Sequence, residues 1–154
     1  MTCPPGQVVV KVTVLAQLLL ESEVFYHGGN PDREGRQLIY FTKDLKAAES
    51  YVDMWNDRYG EGGSIHQAKV TIRHPAPVDV VTQAAQALGI ETDMYCPASM
   101  FDGALHGYAE TEQLVRDLVK QGYDGAILED IGYGVQVEFD AYIPFSRSQI
   151  HWLT

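Results

Sequence analysis

The chain has 154 residues, 45% of them hydrophobic, and a formal net charge of -10. This length predicts one domain over residues 1–154 with a buried core, and the negative charge argues against direct binding to nucleic acid. Polar residues interrupt the longest apolar stretch near the start, residues 8–20, so it is too short for the ~18 apolar residues of a membrane span. It also lacks the features of a signal peptide, so we expect no association with a membrane.

Hydrophobic periodicity and turn residues predict the elements of the first half of the chain. In chain order these are a strand or short helix at 8–20, a strand at 24–27 that runs into Gly28 and Gly29, a turn-like segment at 30–35, a strand at 37–41, and a helix that Thr42 caps and that runs towards Trp55.

The second half continues with shorter elements. In chain order these are a loop at 60–63, a strand at 65–72, a helix at 80–88, an irregular segment at 91–107, an amphipathic helix at 110–121, and strands at 123–128, 135–145 and 150–153. Gly89 and Gly122 follow the two helices at the position where glycine commonly ends them. Helices that fall between strands at irregular spacing are typical of an α+β domain.

Three groups of residues carry chemistry. His27, Gly28 and Gly29 stand at the end of a predicted strand. The second group is Tyr40, Phe41 and Thr42 followed by Tyr51, with ten residues between the two tyrosines. In the third group, Glu138 and Asp140 share one face of the long strand near the C-terminus, because strand side chains alternate between faces.

These residue types suit the transfer of a ribosyl group from NAD. Two aromatic rings can hold the nicotinamide ring between flat surfaces, and a histidine can bond the ribose hydroxyls. A glycine lets the backbone approach the ligand closely. A carboxylate can stabilise the positive charge that develops on the ribose as its bond to nicotinamide breaks.

The order of these residues resembles the histidine–tyrosine–acid class of ADP-ribosyltransferases, which includes the poly(ADP-ribose) polymerases and the diphtheria-type toxins. Residues 123–127, 142–145 and 148–150 are similar to small phage and bacterial members, and the resemblance spans roughly residues 24–153. It implies a compact fold with two small packed sheets, antiparallel or mixed, around an NAD cleft with flanking helices. It also implies that NAD is the co-substrate and that ADP-ribose passes to a macromolecular target, expected to be a protein, with release of nicotinamide.

The resemblance implies a role for each matching residue. His27 would bond the ribose next to the nicotinamide, and Gly28 would contact the nicotinamide amide through its backbone. Tyr40 and Tyr51 would flank the nicotinamide ring, and Thr42 would support the site from the end of a strand.

The acid is where the sequence departs from the family. A glutamate often stands directly before the aromatic-aliphatic strand, and Ala141 occupies that position. Asp140, or failing that Glu138, is therefore predicted as the catalytic acid, brought into the site by a bulge or small shift. Glu129 and Asp130 are interpreted as a solvated turn, and they are the next candidates for the acid if neither Asp140 nor Glu138 serves. If neither predicted acid reaches the site, the chain would bind NAD without transferring ADP-ribose.

A second alternative is an acidic protein that blocks a basic partner, such as a phage-encoded inhibitor of a host defence complex. The net charge of -10 favours this alternative.

Residues 91–107 and 129–134 are the expected acceptor-binding loops. The histidines outside the first group lack metal-ligand spacing, so no metal site is predicted. No disulfide is expected between Cys3 and Cys96, the two cysteines of the chain. This suits a protein of the cytoplasm, where thiols stay reduced, and the cytoplasm could be that of a host cell.

Overall fold

The computed structural model describes residues 23–92, 95–131 and 138–154. Within these residues the protein has two small antiparallel sheets and four α-helices, so the predicted α+β class is confirmed. The predicted element at 8–20 lies outside the described residues. The strands are β1 Phe25–Gly29, β2 Ser64–Val70, β3 Gly125–Ile131, β4 Glu138–Pro144 and β5 Ile150–Trp152. The helices are α1 Leu45–Tyr59, α2 Val78–Ala87, α3 Gly103–His106 and α4 Tyr108–Lys120.

The two sheets use different parts of the chain. The first sheet has the order β1-β2-β5, and its register sets His27 of β1 opposite His66 of β2. The second sheet is the pair β3-β4, in which Asp130 lies opposite Phe139. Side chains on β4 alternate between buried and exposed from Glu138 to Ala141, as expected of a sheet with one covered face.

Two residues between the sheets connect them. The backbone of Phe41 exchanges two hydrogen bonds with Tyr142 of β4, and that of Thr42 exchanges two with Tyr26 of β1. The predicted strand at 37–41 is therefore wrong in extent, because only its last residue takes part in a bridge. The bridge therefore connects β1, through Tyr26, to β4 of the second sheet.

Helix α1 packs against β1 and begins later than predicted. Asp44 is the N-cap, and its side chain accepts hydrogen bonds from the backbone N–H groups of Lys46 and Ala47. The prediction that Thr42 caps the helix is wrong, because its backbone is held in the bridge to β1 and its hydroxyl instead accepts from the Asp44 N–H at 2.9 Å. Gly60, with a φ of 83°, ends the helix in the left-handed conformation that glycine adopts without strain.

Two further predictions need correction. The segment at 91–107 is not irregular throughout, because it contains the 3-10 helix Pro97–Phe101 and α3. Strand β3 continues beyond Leu128 to Ile131, so Glu129 and Asp130 belong to a strand and not to a turn. Asp130 is also buried, since only 6% of its surface is exposed.

The core has two parts. The larger cluster lies between the second sheet and the helices α2 and α4, and the smaller one lies beside the first sheet around Phe25 and Phe41. Tyr40 and Tyr51 pack against the larger cluster. Among the described helices, none is long and apolar enough to cross a bilayer.

Candidate functional site

A cleft of about 420 Å³ opens between the end of β1, the helix α1 and the segments around residues 33–40 and 102–108. Four of the residues predicted to bind a ligand line it, namely His27, Gly28, Tyr40 and Tyr51. The other lining residues are Arg33, Glu34, Gln37, Leu38, Met54, Trp55, Arg58, Tyr59, Asp102, Ala104 and Tyr108.

His27 is held by both ring nitrogens. Its Nδ1 lies 2.7 Å from the Tyr40 carbonyl oxygen and its Nε2 lies 2.5 Å from Glu34 Oε1. A carbonyl only accepts, so Nδ1 carries a hydrogen and donates it. The ring is therefore fixed with Nε2 directed at the Glu34 carboxylate, and only 5% of the residue is exposed.

Gly28 presents its backbone to the cleft. Tyr26 exchanges both of its backbone hydrogen bonds with Thr42, on the side of β1 away from β2. Residues two apart on a strand direct these groups to the same side, so the N–H and C=O of Gly28 point the same way. Continuing this register would pair Gly28 with Tyr40, but between these described residues no backbone bond forms, and the Tyr40 carbonyl accepts from His27 instead. The N–H and C=O of Gly28 are placed to pair with a ligand amide.

Tyr40 is anchored at both ends. Its hydroxyl donates to the Ala98 carbonyl at 2.7 Å, and its carbonyl accepts from His27. Burial, followed by the nearby Asp102 carboxylate, raises the pKa of the Tyr40 phenol well above its usual range. The phenol therefore stays neutral, and its ring forms a fixed, uncharged wall of the cleft.

Tyr51 is anchored through a buried acid. Its hydroxyl donates to Asp130 Oδ2, while Asp130 Oδ1 accepts from the Cys96 thiol at 2.9 Å and from the Ile131 N–H at 2.8 Å. The ring also meets Phe139 edge to face, with 5.8 Å between centroids. Burial is the largest cause, and Asp130 the next, of a raised pKa at the Tyr51 phenol. The hydrogen-bonded hydroxyl fixes the orientation of the ring at the cleft.

The Cys96 thiol should be unreactive at neutral pH. Burial, and then its hydrogen bond to Asp130, raise its pKa from 9.0 to about 11. Because the folded state favours the protonated thiol, this contribution to stability is present below pH 9.0 and is lost as the pH rises through about 11. We expect carboxamidomethylation of Cys96 in the native Cys3→Ser variant to rise with a midpoint near pH 11 by mass spectrometry. A midpoint at the ordinary thiol pKa would contradict this environment.

Helix α1 contributes one face to the cleft. Among the residues of this helix that line the cleft are Tyr51, Trp55, Arg58 and Tyr59. Trp55 follows Tyr51 by four residues, and Arg58 and Tyr59 follow Trp55 by three and four, which places all of them on one side of the helix. The Trp55 and Tyr59 rings lie 4.4 Å apart between centroids, and the Arg58 guanidinium lies 5.9 Å from the Tyr59 centroid. This end of the cleft therefore combines two closely packed, mutually tilted aromatic rings with a cation.

The remaining predicted residues lie elsewhere. Thr42 is buried in the bridge between the sheets and does not line the cleft. Glu138 and Asp140 are exposed on β4, on the face opposite Phe139, whose ring packs on Tyr51. The structure thus brings His27, Gly28, Tyr40 and Tyr51 together and places the two predicted acids on the far side of the second sheet.

Three contributors to the site were not predicted as such. Glu34 lies in a segment that the sequence marks only as turn-like, and Asp130 follows an apolar strand in a position that resembles a turn. Arg58 belongs to a helical face whose spacing from Tyr51 is visible in the sequence. The helical spacing from Tyr51 is therefore the one sequence signal that could have predicted Arg58 as part of the cleft.

Within the described residues, no group of three or more histidine, cysteine or acidic side chains is arranged to hold a metal ion. Comparisons of the chain with family models, with curated proteins and with solved structures find no match.

Proposed function

We propose that the protein is an ADP-ribosyltransferase that binds NAD in this cleft and transfers ADP-ribose to a protein. The observation that carries the proposal is that His27, Gly28, Tyr40 and Tyr51 line one cleft. These are four of the five residues that the resemblance assigns to the NAD site, the fifth being Thr42. Two antiparallel sheets that meet beside the cleft also accord with the compact fold that the resemblance implies.

The end of the cleft at β1 suits nicotinamide. The N–H and C=O of Gly28 complement the C=O and NH₂ of the nicotinamide carboxamide. Tyr40 and Tyr51 offer neutral rings held by hydrogen bonds to Ala98 and Asp130. Because these rings are fixed before the ligand arrives, little conformational entropy is lost on binding.

The other end suits the adenosine half of NAD. Tyr51 and Tyr59 lie about 12 Å apart along α1, at 1.5 Å per residue. An extended dinucleotide can therefore place its nicotinamide beside Tyr51 and its adenine beside Tyr59. Arg33 and Arg58 supply positive charge to the cleft of a chain with a net charge of -10. Guanidinium groups bind phosphates well, and the Trp55–Tyr59 pair offers ring faces for adenine.

We expect NAD to bind the wild-type protein and to bind the His27→Ala variant about tenfold or more weakly. Losing the hydrogen-bond partner of a ribose hydroxyl in a closed site costs ~1–3 kcal/mol, and ~1.4 kcal/mol corresponds to a factor of ten in affinity. Isothermal titration with NAD measures both proteins. His151→Ala, an exposed histidine of β5, is the matched control and should retain wild-type affinity. Equal affinity in the wild-type and His27→Ala proteins would place the site elsewhere.

Release of nicotinamide separates a transferase from a protein that only binds NAD. The wild-type protein, incubated with labelled NAD and a cell lysate, should release nicotinamide and label a protein in the lysate. Binding without release in any lysate tested would favour the NAD-binding protein without transfer. Binding to a basic partner without NAD, weakened strongly by salt, would favour the partner-blocking alternative.

A further inference from the structure

The second sheet directs no carboxylate of its last strand into the cleft. Ala141, at the position where the family often has a glutamate, is fully buried and shares a face with Phe139, which packs on Tyr51. Glu138 and Asp140 lie on the opposite, exposed face. If the cleft performs the proposed transfer, its carboxylate must come from another segment.

Glu34 places a carboxylate beside His27. It follows the 3-10 helix Pro31–Arg33, lines the cleft, and holds its Oε1 at 2.5 Å from His27 Nε2. Its side chain is only 11% exposed. A carboxylate so well shielded from water interacts more strongly with a nearby positive charge than an exposed one does.

The backbone is shaped to admit this carboxylate. Gly29 has a φ of 144°, in the region that favours glycine. A Cβ atom at Gly29 would lie 2.8 Å from Glu34 Oε1 and 3.3 Å from His27 Nε2. The second glycine of the His27–Gly28–Gly29 motif therefore leaves the room in which Glu34 and His27 meet.

The other carboxylates near the cleft have structural tasks. Asp102 caps α3 by accepting from the N–H groups of Ala104 and Leu105, and it also accepts from the Gln37 amide. Asp130 accepts from Tyr51, Cys96 and the Ile131 N–H and does not line the cleft. Of these three acids, Glu34 is the one that both lines the cleft and pairs with a predicted ligand-binding residue.

We propose that Glu34 is the catalytic carboxylate of this site, an assignment that rests on the proposed function. One ribose hydroxyl of NAD donates to His27 Nε2, since Nδ1 holds the ring hydrogen, and the neighbouring hydroxyl donates to one Glu34 oxygen. The bond from ribose C1′ to the nicotinamide nitrogen breaks, and its electron pair leaves on nicotinamide, which becomes neutral. The negative charge of Glu34 stabilises the cationic ribose. The acceptor's nucleophile then bonds to C1′, and its proton passes to the second Glu34 oxygen.

The test compares Glu34→Gln with the wild-type protein. The glutamine keeps the size and hydrogen-bonding oxygen of the side chain but lacks the charge and cannot take the acceptor's proton. We expect the NAD dissociation constant to change by no more than a few-fold and the rate of nicotinamide release at saturating NAD to fall by ~10²-fold or more. Glu49→Gln, an exposed glutamate of α1, is the matched control and should release nicotinamide at the wild-type rate.

Each outcome bears on the assignment. Wild-type release by Glu34→Gln overturns the role of Glu34 while leaving the proposed function intact, since the wild-type protein is active in the same assay. A failure of the wild-type protein to bind NAD overturns the proposed function and, with it, this assignment. If Glu34→Gln unfolds, Glu34→Asp keeps the charge but withdraws it by one methylene, and a rate equal to the wild type's at that shorter reach overturns the assignment.

Discussion

Replacing Gly28 by alanine is expected to lower the free energy of unfolding by about 3 kcal/mol, at the upper end of the usual cost of overpacking, and to abolish NAD binding. A Cβ atom at Gly28 would lie 2.0 Å from the Ala48 carbonyl oxygen and 3.0 Å from the Tyr51 Cβ. Both neighbours belong to α1, whose Ala47 and Ala48 are buried. The strand and helix must therefore separate, which moves Tyr51 away from the Gly28 backbone and widens the cleft.

Gly89→Ala is the matched control for this steric effect. Gly89 has a φ of 74°, and a Cβ atom there would meet no atom within 4 Å. That variant suffers only the strain of a left-handed backbone, about 1–2 kcal/mol, and should bind NAD normally. Urea unfolding with a shared slope measures both free energies, and titration measures binding. A Gly28→Ala protein as stable as Gly89→Ala would contradict the close packing of β1 on α1.

Replacing Tyr51 by phenylalanine is expected to lower the free energy of unfolding by about 2 kcal/mol, because a buried charged group loses a hydrogen-bond donor. The Tyr51 hydroxyl donates to Asp130, which is only 6% exposed. The loss of unfolding free energy should depend on the Asp130 carboxylate. In the Asp130→Asn background, Tyr51→Phe should therefore lower the free energy of unfolding by markedly less. Urea unfolding of the two single variants and the double variant measures this coupling.

Two comparisons sharpen this result. Tyr59→Phe also removes a hydroxyl from the cleft, but Tyr59 is 55% exposed, so stability should remain within about 0.5 kcal/mol of the wild type. For NAD binding we expect the ring of Tyr51 to matter more than its hydroxyl. Tyr51→Ala should therefore weaken the affinity for NAD more than Tyr51→Phe does, because the ring face contacts nicotinamide. Additive effects of Tyr51→Phe and Asp130→Asn on unfolding would contradict the hydrogen bond.

Local pattern predicted much of the fold because many elements depend on nearby residues. The alternation at 65–72 and the apolar face at 110–121 correspond to β2 and α4 within a few residues. The segment at 37–41 failed for a non-local reason. Ile39 and Phe41 are buried and alternate as in a strand, yet a strand also needs a neighbour, and only Phe41 and Thr42 find one.

Spacing along the chain predicted the tyrosines, the histidine and the glycine that share the cleft, but not the acid beside them. The position of Glu34 depends on how the turn-like segment folds back onto His27, and no periodicity describes such a turn. Asp130 meets Tyr51, which belongs to an element far away in the sequence, and no local pattern shows that contact. Glu138 and Asp140 were correctly expected to share a face, but which face points to the cleft is set by the packing of Phe139 on Tyr51.

The two-residue bridge has a consequence for the order in which the molecule folds. Phe41 pairs with Tyr142, which lies near the other end of the described chain, whereas β3 and β4 are neighbours in sequence. Contacts between such distant segments close slowly, since the intervening chain must first lose its freedom. We therefore expect the cleft beside this bridge to be completed late in folding, after β3 and β4 have paired. A molecule that binds this cleft in preference to the unfolded chain would then stabilise the whole domain against unfolding.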